Sequence, residues 1–231
     1  MFARAAGFHV TDAQQANEVI RRQLSGCYTG VVNDVMQAMG LSDYVLPAEI
    51  TPLASGQTLC GPAFTIEGRP VQGADAHRTL LEWTGLLSRA APGHIWVCQP
   101  NDRLIALMGE LSAQTLKARG ILGCVIDGNV RDVQFIRELD FQCWRRRQTP
   151  LDIVGRWLPT GVNVPITIGD VSIRPGDYLI GDSDGMIRVP LESVAKVAEQ
   201  AAAAMKTENK VRKAILAGMD PQQAYLSYGK F

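Results

Sequence analysis

The sequence predicts a mixed α/β fold, and three observations lead to that class. Over the first 140 residues, apolar runs typical of strands alternate with segments of helical periodicity. After residue 140 the apolar runs become short and are separated by glycine-containing turns. Residues 191–217 then show the clearest helical spacing of the chain. The 231 residues can bury a sizeable core, and we expect a single domain over residues 1–231.

The first half of the chain predicts helices and strands in alternation. Thr11 and Asp12 form the predicted cap of the first helix, and Gly120 is the expected C-terminal stop of the fourth. A strand, a helix and a strand at the spacing found around Gly120 predict a βαβ unit. The expected helices cover 12–24, 29–39, 77–87 and a segment that includes 110–119, and the expected strands cover 61–69, 95–98 and 123–127.

The second half predicts short strands followed by a helix. Segment 150–159 has the weakest pattern and is expected to be a loop inside the domain. The run Arg145–Arg147 could contact RNA, but a solvated strand end is the favoured interpretation. The expected strands cover 162–168, 171–173, 178–181 and 186–189.

Residues 191–217 form an amphipathic helix whose apolar stripe contains one carboxylate. Glu208 lies in the middle of the stripe, whereas Glu199 and Lys206 lie on the opposite face. A carboxylate buried alone is very costly, so Glu208 needs a partner. One interpretation is a pair with Arg212 one turn later, worth about 0.3–0.5 kcal/mol. The other is that this face packs on a neighbouring subunit, where Glu208 reaches a site.

The composition excludes several classes of protein. Lysine and arginine number 23, as do aspartate and glutamate, and this zero net charge argues against nucleic-acid and membrane-surface binding. No segment has the apolar length of a signal peptide or a membrane span, which predicts a cytoplasmic protein. The five cysteines lack a CxxC pair and the three histidines lack metal-binding spacing. A disulfide framework and a zinc site are therefore not expected.

The run Gly123–Asp132 carries the strongest chemical signal. It begins as a buried strand that is expected to end at Asp127, where a Gly-Asn pair follows. Arg131 and Asp132 then fall just beyond the C-terminal end of the strand, where α/β sheets bind ligands. An arginine can bind a carboxylate through two hydrogen bonds, and an aspartate can hold a hard metal ion. The alternative is that Asp132 only complements a helix N-terminus and Arg131 is a solvated surface residue.

Four motifs occur in an order that matches a known family. Together they resemble the RraA-like family, which contains regulators of RNase E activity and 4-hydroxy-4-methyl-2-oxoglutarate/4-carboxy-4-hydroxy-2-oxoadipate aldolases. The resemblance extends from about residue 29 to about residue 218. It implies a three-layer β-β-α sandwich, related to swivelling domains, that assembles as homotrimers or homohexamers. The motifs are Gly61-Pro62-Ala63, Gly109-Glu110-Leu111-Ser112-Ala113, Asp127-Gly128-Asn129-Val130-Arg131-Asp132 and Gly181-Asp182-Ser183-Asp184-Gly185.

The aldolase branch of the family implies a Mg²⁺ or Mn²⁺ site at a subunit interface. An acidic residue, twenty intervening residues and an Arg-Asp pair mark that site, which here gives Glu110, Arg131 and Asp132. By resemblance, Asp132 holds the metal and Arg131 binds the substrate. Glu208 best matches a glutamate that the neighbouring subunit's C-terminal helix contributes. By the same resemblance, the substrate carboxylate is cradled by the backbone of Gly109, Glu110, Leu111 and Ser112.

The resemblance implies an enzyme that cleaves a carbon–carbon bond. We expect a metal-dependent (class II) pyruvate aldolase acting on 4-hydroxy-2-oxo acids such as 4-hydroxy-4-methyl-2-oxoglutarate, with oxaloacetate decarboxylation as a side activity. The characterised aldolases have aspartate where this chain has Glu110, whose side chain is one methylene longer. The alternatives are a non-catalytic regulator that binds a ribonuclease, and a related lyase or hydratase acting on another oxo acid or a sugar acid. The regulators lack the full acidic set, which favours the enzyme.

Overall fold

The computed structural model describes residues 12–230 and shows seven helices and ten strands in that part of the chain. The helices are α1 (Asp12–Ser25), α2 (Thr29–Ala38), α3 (Ala76–Arg89), α4 (Glu110–Ala118), α5 (Val133–Glu138), α6 (Val194–Leu216) and α7 (Pro221–Tyr228). The strands are β1 (Thr51–Pro52), β2 (Leu59–Pro70), β3 (Ile95–Gln99), β4 (Gly123–Val130), β5 (Gln142–Gln148), β6 (Trp157–Val162), β7 (Ile166–Ile168), β8 (Val171–Ile173), β9 (Tyr178–Asp182) and β10 (Gly185–Val189).

Eight of these strands form one sheet in the order β1-β5-β4-β3-β2-β9-β10, with β6 also paired to β2. The four strands from β2 to β5 run parallel, and α4 connects β3 to β4, as the predicted βαβ unit requires. The other pairs are antiparallel. A bridge between Val45 and Ile187 joins the segment before β1 to β10. The sheet therefore nearly closes on itself.

The side chains of β3 show how the layers are arranged. Trp96 and Cys98 belong to a buried cluster that includes residues of α3, α4 and α5. Ile95 and Val97 belong to a different cluster, which includes the hairpin β7–β8. Because successive side chains of a strand point to opposite faces, the helices and the hairpin cover opposite faces of the sheet. The predicted β-β-α sandwich is confirmed.

The long helix α6 packs against its own chain. Val197, Ala198 and Ala201 are buried in a third cluster with residues of α1, α2, β9 and β10. Glu199 and Lys206 are exposed, so their predicted place on the polar face of the helix is confirmed. Packing of this helix on a neighbouring subunit stays a prediction.

The strand β4 is longer than the sequence predicts. It continues through Gly128 and Asn129 to Val130, and its register against β5 shifts between Ile126 and Asn129. A Cβ added at Gly128 would lie 3.0 Å from the Cγ of Pro100, so glycine lets a neighbouring loop approach closely here. The prediction that the strand ends at Asp127 is wrong, because the Gly-Asn pair marks an irregularity within the strand.

The strand predicted at 162–168 covers only the last residue of β6 and the whole of β7. Asn163 lies between them with a φ of 55°, a left-handed conformation that turns the chain. The loop predicted at 150–159 is also too long, because β6 begins at Trp157 and pairs with β2. Trp157 is buried in the helix-side cluster, and this tertiary contact supports a strand that the local pattern does not indicate.

The three consecutive arginines of β5 are only partly a solvated strand end: Arg147 is exposed, as expected, whereas Arg146 is not. The side chain of Arg146 is 16% exposed, and its Nε donates to Oδ1 of the buried Asp127 at 2.6 Å. Glu49 lies 3.5 Å from the same guanidinium. The sequence shows a run of charge, but the structure shows a largely buried ion pair between neighbouring strands.

Three further expectations concern the remaining elements. All five cysteines are free, and burial raises the pKa of Cys60 to about 11. No helix among residues 12–230 has the length and apolar character needed to cross a membrane. Thr11, which is part of the predicted cap of α1, lies outside the described residues. The helix α7 is not predicted by the sequence.

Candidate active site

A cleft of about 410 Å³ opens at the C-terminal end of β4. Its walls come from α3, from the residues before α4, from the first turn of α4 and from a loop around residue 152. Glu110, Arg131 and Asp132 all line it, although twenty residues separate Glu110 from the Arg-Asp pair. Gly109, Leu111 and Ser112 line the same cleft. The structure thus brings together every predicted site residue except Glu208.

Backbone hydrogen bonds fix the start of α4 beside the end of β4. The amide of Leu107 donates to the carbonyl oxygen of Asn129 at 2.9 Å, and the amide of Arg131 donates to that of Met108 at 2.8 Å. The segment before α4 therefore runs alongside the end of β4 as an added parallel bridge. This arrangement carries the N-terminus of α4 to the residues that follow β4.

Asp132 reaches across to the N-terminus of α4. Its φ of 55° is left-handed, and although it precedes α5, its side chain makes no capping hydrogen bond to that helix. Instead Oδ2 accepts a hydrogen bond from the amide of Glu110 at 3.1 Å. A Cβ added at Gly109 would lie 2.7 Å from Oδ2, so only glycine permits this approach. Asp132 therefore complements a helix N-terminus, as the alternative interpretation holds. The helix is α4, however, and not α5, which directly follows Asp132 in the sequence.

Arg131 is not a freely solvated surface residue. Its side chain is 41% exposed, with Nε 3.4 Å from Oδ2 of Asp132 and Nη1 3.7 Å from Oδ2 of Asp152. Ion pairs this exposed contribute little to stability. Their effect here is orientation, because two carboxylates on different segments flank one planar guanidinium and direct it into the cleft.

Asp152 is a site residue that the sequence reasoning missed. Its Oδ1 accepts hydrogen bonds from Nη1 of Arg156 at 2.6 Å and from the amide of Val154 at 3.1 Å. The loop is anchored further by Gly155, whose amide donates to Oγ1 of Thr79 on α3 at 3.2 Å. The only signal in the sequence is a turn-forming Thr-Pro pair two residues before Asp152, which does not identify a site.

The first turn of α4 presents free amides to the cleft. Among the described residues, no acceptor pairs with the backbone amides of Leu111 and Ser112. Helix N-termini of this kind bind anions, since the orphan amides and the helix dipole both favour negative charge. The hydroxyl of Ser112 is already engaged, because it accepts a hydrogen bond from Nε1 of Trp83 at 2.9 Å. Of the predicted cradle, the amide of Glu110 is already bonded to Asp132, and the binding of a substrate carboxylate by the other amides stays a prediction.

The side chain of Glu110 has one partner among the described residues. Nε2 of Gln114, one turn later on α4, donates to its Oε1 at 3.1 Å. Glu110 lines the cleft beside Asp132, and its Oε2 receives no hydrogen bond from the described residues. A carboxylate in this setting can accept a proton or orient a water molecule.

Glu208 lies outside the cleft of its own chain. Its Oε1 accepts hydrogen bonds from the hydroxyl of Tyr28 and from Nη2 of Arg212, the latter at 3.0 Å. The side chain is 22% exposed. The pair with Arg212 that the sequence suggests is therefore present, and Tyr28 is a second partner. A contribution of Glu208 to the cleft of a neighbouring subunit stays a prediction.

The donor set of the cleft fits a hard divalent cation. Among residues 12–230, no three His, Cys, Asp or Glu side chains are grouped to hold a metal ion. Oδ1 of Asp132 receives no hydrogen bond from the described residues and faces the same cleft as two further carboxylates. Mg²⁺ commonly takes one or two protein carboxylates and keeps several waters, whereas zinc sites need three or four nitrogen or sulfur ligands. The residues present therefore fit Mg²⁺ or Mn²⁺.

The sequence and the fold of this chain resemble those of known proteins. The model of a family described as RraA-like, Aldolase/RraA, matches residues 29–188. The chain belongs to the RraA-like family. Solved RraA-like structures share its fold: the chain superposes on RraAS2 of Streptomyces coelicolor with a TM-score of 0.74 and 25% identity, covering 84% of this chain and 96% of that one. RraAS2 is described as an unusual member of the RNase ES inhibitor RraA protein family.

Relatives in the RraA-like family differ in length and in name. A protein of Halalkalibacterium halodurans named "Putative 4-hydroxy-4-methyl-2-oxoglutarate aldolase" is 29% identical over 185 residues, which cover 78% of this chain and 83% of that protein. Protein DlpA of Legionella pneumophila is 27% identical over 217 residues, which cover 90% of this chain. The chain spans only 33% of DlpA, so it corresponds to about a third of that longer protein.

Proposed function

We propose that this chain is a divalent-metal-dependent pyruvate aldolase that cleaves 4-hydroxy-2-oxo acids. One observation carries the proposal: the guanidinium of Arg131, the carboxylate of Asp132 and the free amides of α4 converge on one cleft. A 2-oxo acid has a carboxylate next to a keto oxygen, and both groups need positive partners. The aldolase name of the relative from Halalkalibacterium halodurans gives further support.

The cleft residues have distinct roles in the proposed reaction. The amides of Leu111 and Ser112 bind the substrate carboxylate at the helix N-terminus. The guanidinium of Arg131 lies where negative charge develops on the keto oxygen, and a preorganised donor at that position stabilises the transition state. Glu110 accepts the proton of the C4 hydroxyl through a water molecule. Asp152 and Asp132 keep Arg131 oriented.

The proposed cleavage balances as a retro-aldol step. The C4 hydroxyl loses its proton and becomes a carbonyl, and the C3–C4 bond breaks. The electron pair of that bond forms the enolate of pyruvate, and protonation at C3 then yields pyruvate. Loss of CO₂ from oxaloacetate gives the same enolate, so oxaloacetate decarboxylation is expected as a side activity.

A divalent cation completes the proposed site. Asp132 would hold it, and Glu110 and Asp152 are the other carboxylates that line the same cleft. Bound there, Mg²⁺ or Mn²⁺ supplies Lewis-acid polarisation of the substrate's keto oxygen. No lysine lines the cleft among the described residues, so a Schiff-base route is not proposed.

Pyruvate release from a panel of 4-hydroxy-2-oxo acids and oxaloacetate tests the proposal. Activity should disappear after treatment with a chelator and return when Mg²⁺ or Mn²⁺ is added. The control is the Asp132→Asn variant, which should bind substrate weakly and fail to respond to added metal. Full activity in excess EDTA after dialysis would contradict the metal-dependent mechanism.

The likeness to RraAS2 supports a second candidate, a regulator that binds a ribonuclease. A regulator binds its ribonuclease through its surface and needs no catalytic cleft. This second candidate therefore predicts no turnover of any 2-oxo acid. If the whole panel remains uncleaved while the protein inhibits a ribonuclease of the RNase E type, the regulator is the correct assignment.

A further inference from the structure

The segment that leads into α4 has no helix or strand of its own. Residues 100–109 connect β3 to α4 and end at the helix N-terminus that the proposed reaction uses. An active site needs its groups held to within about 0.5 Å, and an irregular segment reaches that precision only when other groups anchor it. The contacts that anchor residues 100–109 therefore decide where the free amides of α4 lie.

Two polar side chains of β4 and one arginine anchor the middle of this segment. Asn129 is only 5% exposed, and its Nδ2 donates a hydrogen bond to the carbonyl oxygen of Arg103 at 2.8 Å. The guanidinium of Arg103 reaches the same strand, where Nη1 donates to the carbonyl oxygen of Asp127 and lies 2.8 Å from Oδ1 of that residue. β4 therefore binds Arg103 through both its backbone and its side chain.

Asn129 also binds the segment closer to the site. Its carbonyl oxygen accepts a hydrogen bond from the amide of Leu107, two residues before Gly109. Asn129 itself lies two residues before Arg131 on the chain. A shift of the segment relative to β4 would therefore move the amides of α4 away from Arg131.

An asparagine is an unusual residue for this position. β4 is buried along its whole length, and asparagine is depleted in strands, where β-branched residues such as Val125 and Ile126 are favoured. A buried amide is costly unless it is hydrogen-bonded. The sheet itself does not need that amide, because the bond of Nδ2 goes to the segment and not to another strand.

We infer that Asn129 is a positioning residue of the proposed active site and that Arg103 is its partner. Together they hold residues 100–109 on β4, so that the amides of Leu111 and Ser112 face Arg131. The inference rests on the proposed function and adds to it two residues that do not line the cleft.

Alanine variants of the two residues test the inference through steady-state pyruvate release. Asn129→Ala should lower kcat/KM by about 10²-fold, the loss typical of a displacement of about 1 Å, with a lower kcat and also a higher KM because the carboxylate-binding amides move. Arg103→Ala should lower kcat/KM by about tenfold, since the bond from Asn129 remains. The side chain of Arg103 is 53% exposed, so this variant should fold even if Asn129→Ala does not.

Gln57→Ala and Arg119→Ala are the matched controls. Gln57 is buried to a similar degree, at 7% exposure, and its Nε2 donates to the carbonyl oxygen of Phe141 at 3.4 Å. Arg119 is exposed, and its Nη2 donates to the carbonyl oxygen of Ser88 at 2.6 Å. Neither bond involves residues 100–112, and neither residue lines the cleft. Both controls should leave kcat and KM nearly unchanged at temperatures where the variants are folded.

Hydrogen exchange adds a readout that does not depend on turnover. The amides of Leu104 and Ile105 donate to Oδ1 of Asp102, and the amide of Leu107 donates to Asn129. In Asn129→Ala these three amides should exchange at least about tenfold faster than in the wild-type protein, because local opening becomes easier. In Gln57→Ala their exchange should stay at the wild-type rate.

The outcomes separate the inference from the proposed function. Losses in Asn129→Ala and Arg103→Ala, with both controls unchanged, support the inference. Wild-type kcat/KM in folded Asn129→Ala, or an equal loss in Gln57→Ala, overturns it but leaves the aldolase proposal intact, because pyruvate is still released. If Asn129→Ala does not fold, wild-type kcat/KM in Arg103→Ala overturns it. If the wild-type protein releases no pyruvate with Mg²⁺ or Mn²⁺ present, the proposed function fails and the inference fails with it.

Discussion

At the scale of single residues, Arg131 is the side chain on which the proposed chemistry depends most. Its planar guanidinium has carboxylates near Nε and near Nη1, and Nη2 has no ion-pair partner among the described residues. We predict that Arg131→Lys lowers turnover by at least about 10²-fold, because a point charge does not replace a forked donor that stabilises an oxyanion. The measurement is steady-state pyruvate release by the variant.

Arg156→Lys is the matched control for that change. Arg156 also pairs with Asp152, yet it lies outside the cleft. Turnover should fall little in this control, and both variants should unfold at nearly the wild-type temperature. Near wild-type turnover in Arg131→Lys would show that Arg131 does not bind the substrate.

Gly109 is the residue that allows Asp132 and α4 to meet. An added Cβ would lie 2.7 Å from Oδ2 of Asp132 and 3.1 Å from Nε of Arg131, so both side chains must move. We predict that Gly109→Ala lowers kcat/KM by about 10²-fold, a loss typical of a displacement of about 1 Å in a site.

Gly85→Ala is the control for the glycine substitution. A Cβ at Gly85, within α3, would meet no atom within 4 Å. This variant should keep its activity and gain about 0.5–1 kcal/mol of stability, since alanine favours a helix interior. The role assigned to Gly109 is wrong if both alanine variants retain full kcat/KM.

The sequence predicts some of these residues and not others. Arg131 and Asp132 can be found because polar side chains directly after a buried strand have a known position at the edge of a sheet. Asp152 and the buried pair between Arg146 and Asp127 cannot be found that way. Their partners are set by tertiary contacts between separate segments, which leave no periodic pattern.

At the scale of elements, the turn between β8 and β9 is fixed by a buried carboxylate. Asp177 is fully buried, and Oδ2 accepts hydrogen bonds from Nε of Arg188 at 2.9 Å and from the amide of Arg174 at 2.8 Å. Oδ1 accepts a hydrogen bond from the amide of Leu191, between β10 and α6, at 3.0 Å. The side chain of Asp177 therefore connects the turn before β9, the strand β10 and the segment that leads to α6.

We predict that Asp177→Ala destabilises the protein by about 3–5 kcal/mol, because it leaves Arg188 as a largely buried charge without its partner. Chemical denaturation is the measurement. Asp184→Ala, an exposed aspartate in the neighbouring β9–β10 turn, is the control and should change stability by no more than about 0.5 kcal/mol. Equal stability of the two variants would contradict the role of Asp177.

Element types follow from the sequence more reliably than element ends. The helix at 191–217 is found at α6 because a long amphipathic period indicates a helix. The strand at 95–98 is found at β3 because a short β-branched and aromatic run after a Pro-Gly turn indicates a strand. The strand at 162–168 divides because Asn163 adopts a left-handed turn. The two-residue strand β1 pairs with β5 through tertiary contact alone, so no local pattern could indicate it.

At the scale of the whole molecule, the open question is whether two subunits share one site. Within one chain, α6 packs on α1 and α2, and Glu208 contacts Tyr28 and Arg212. We predict that Asp132→Ala and Glu208→Ala are each nearly inactive as pure oligomers. If Glu208 acts on a neighbouring cleft, unfolding and reassembling the two variants together should restore activity.

The expected recovery can be estimated. Random mixing of equal amounts gives each interface an intact Asp132 with probability one half and an intact Glu208 with probability one half, so about a quarter of the sites should work. The measurement is pyruvate release by the mixed oligomers, with each variant reassembled alone as the control. Mixed oligomers that stay inactive would show that Glu208 is only a partner of Tyr28 and Arg212.

The family and the layered architecture could be predicted from the order of four motifs, whereas the near-closure of the sheet could not. Closure depends on the bridge between Val45 and Ile187, which are far apart in the chain. Neither residue lies in a motif, and only the curvature of the folded sheet brings them together.

The contact between Trp83 and Ser112 gives the cleft an optical signal. Trp83 lies edge-on to Trp96 and Trp157 at centroid distances of 6.0 Å and 5.9 Å, so three of the chain's four tryptophans form one cluster. Because its indole nitrogen donates to Ser112 in the first turn of α4, a ligand that binds at that helix N-terminus should change the polarity around the ring. Intrinsic fluorescence can therefore follow ligand binding directly, without a coupled assay or an added dye.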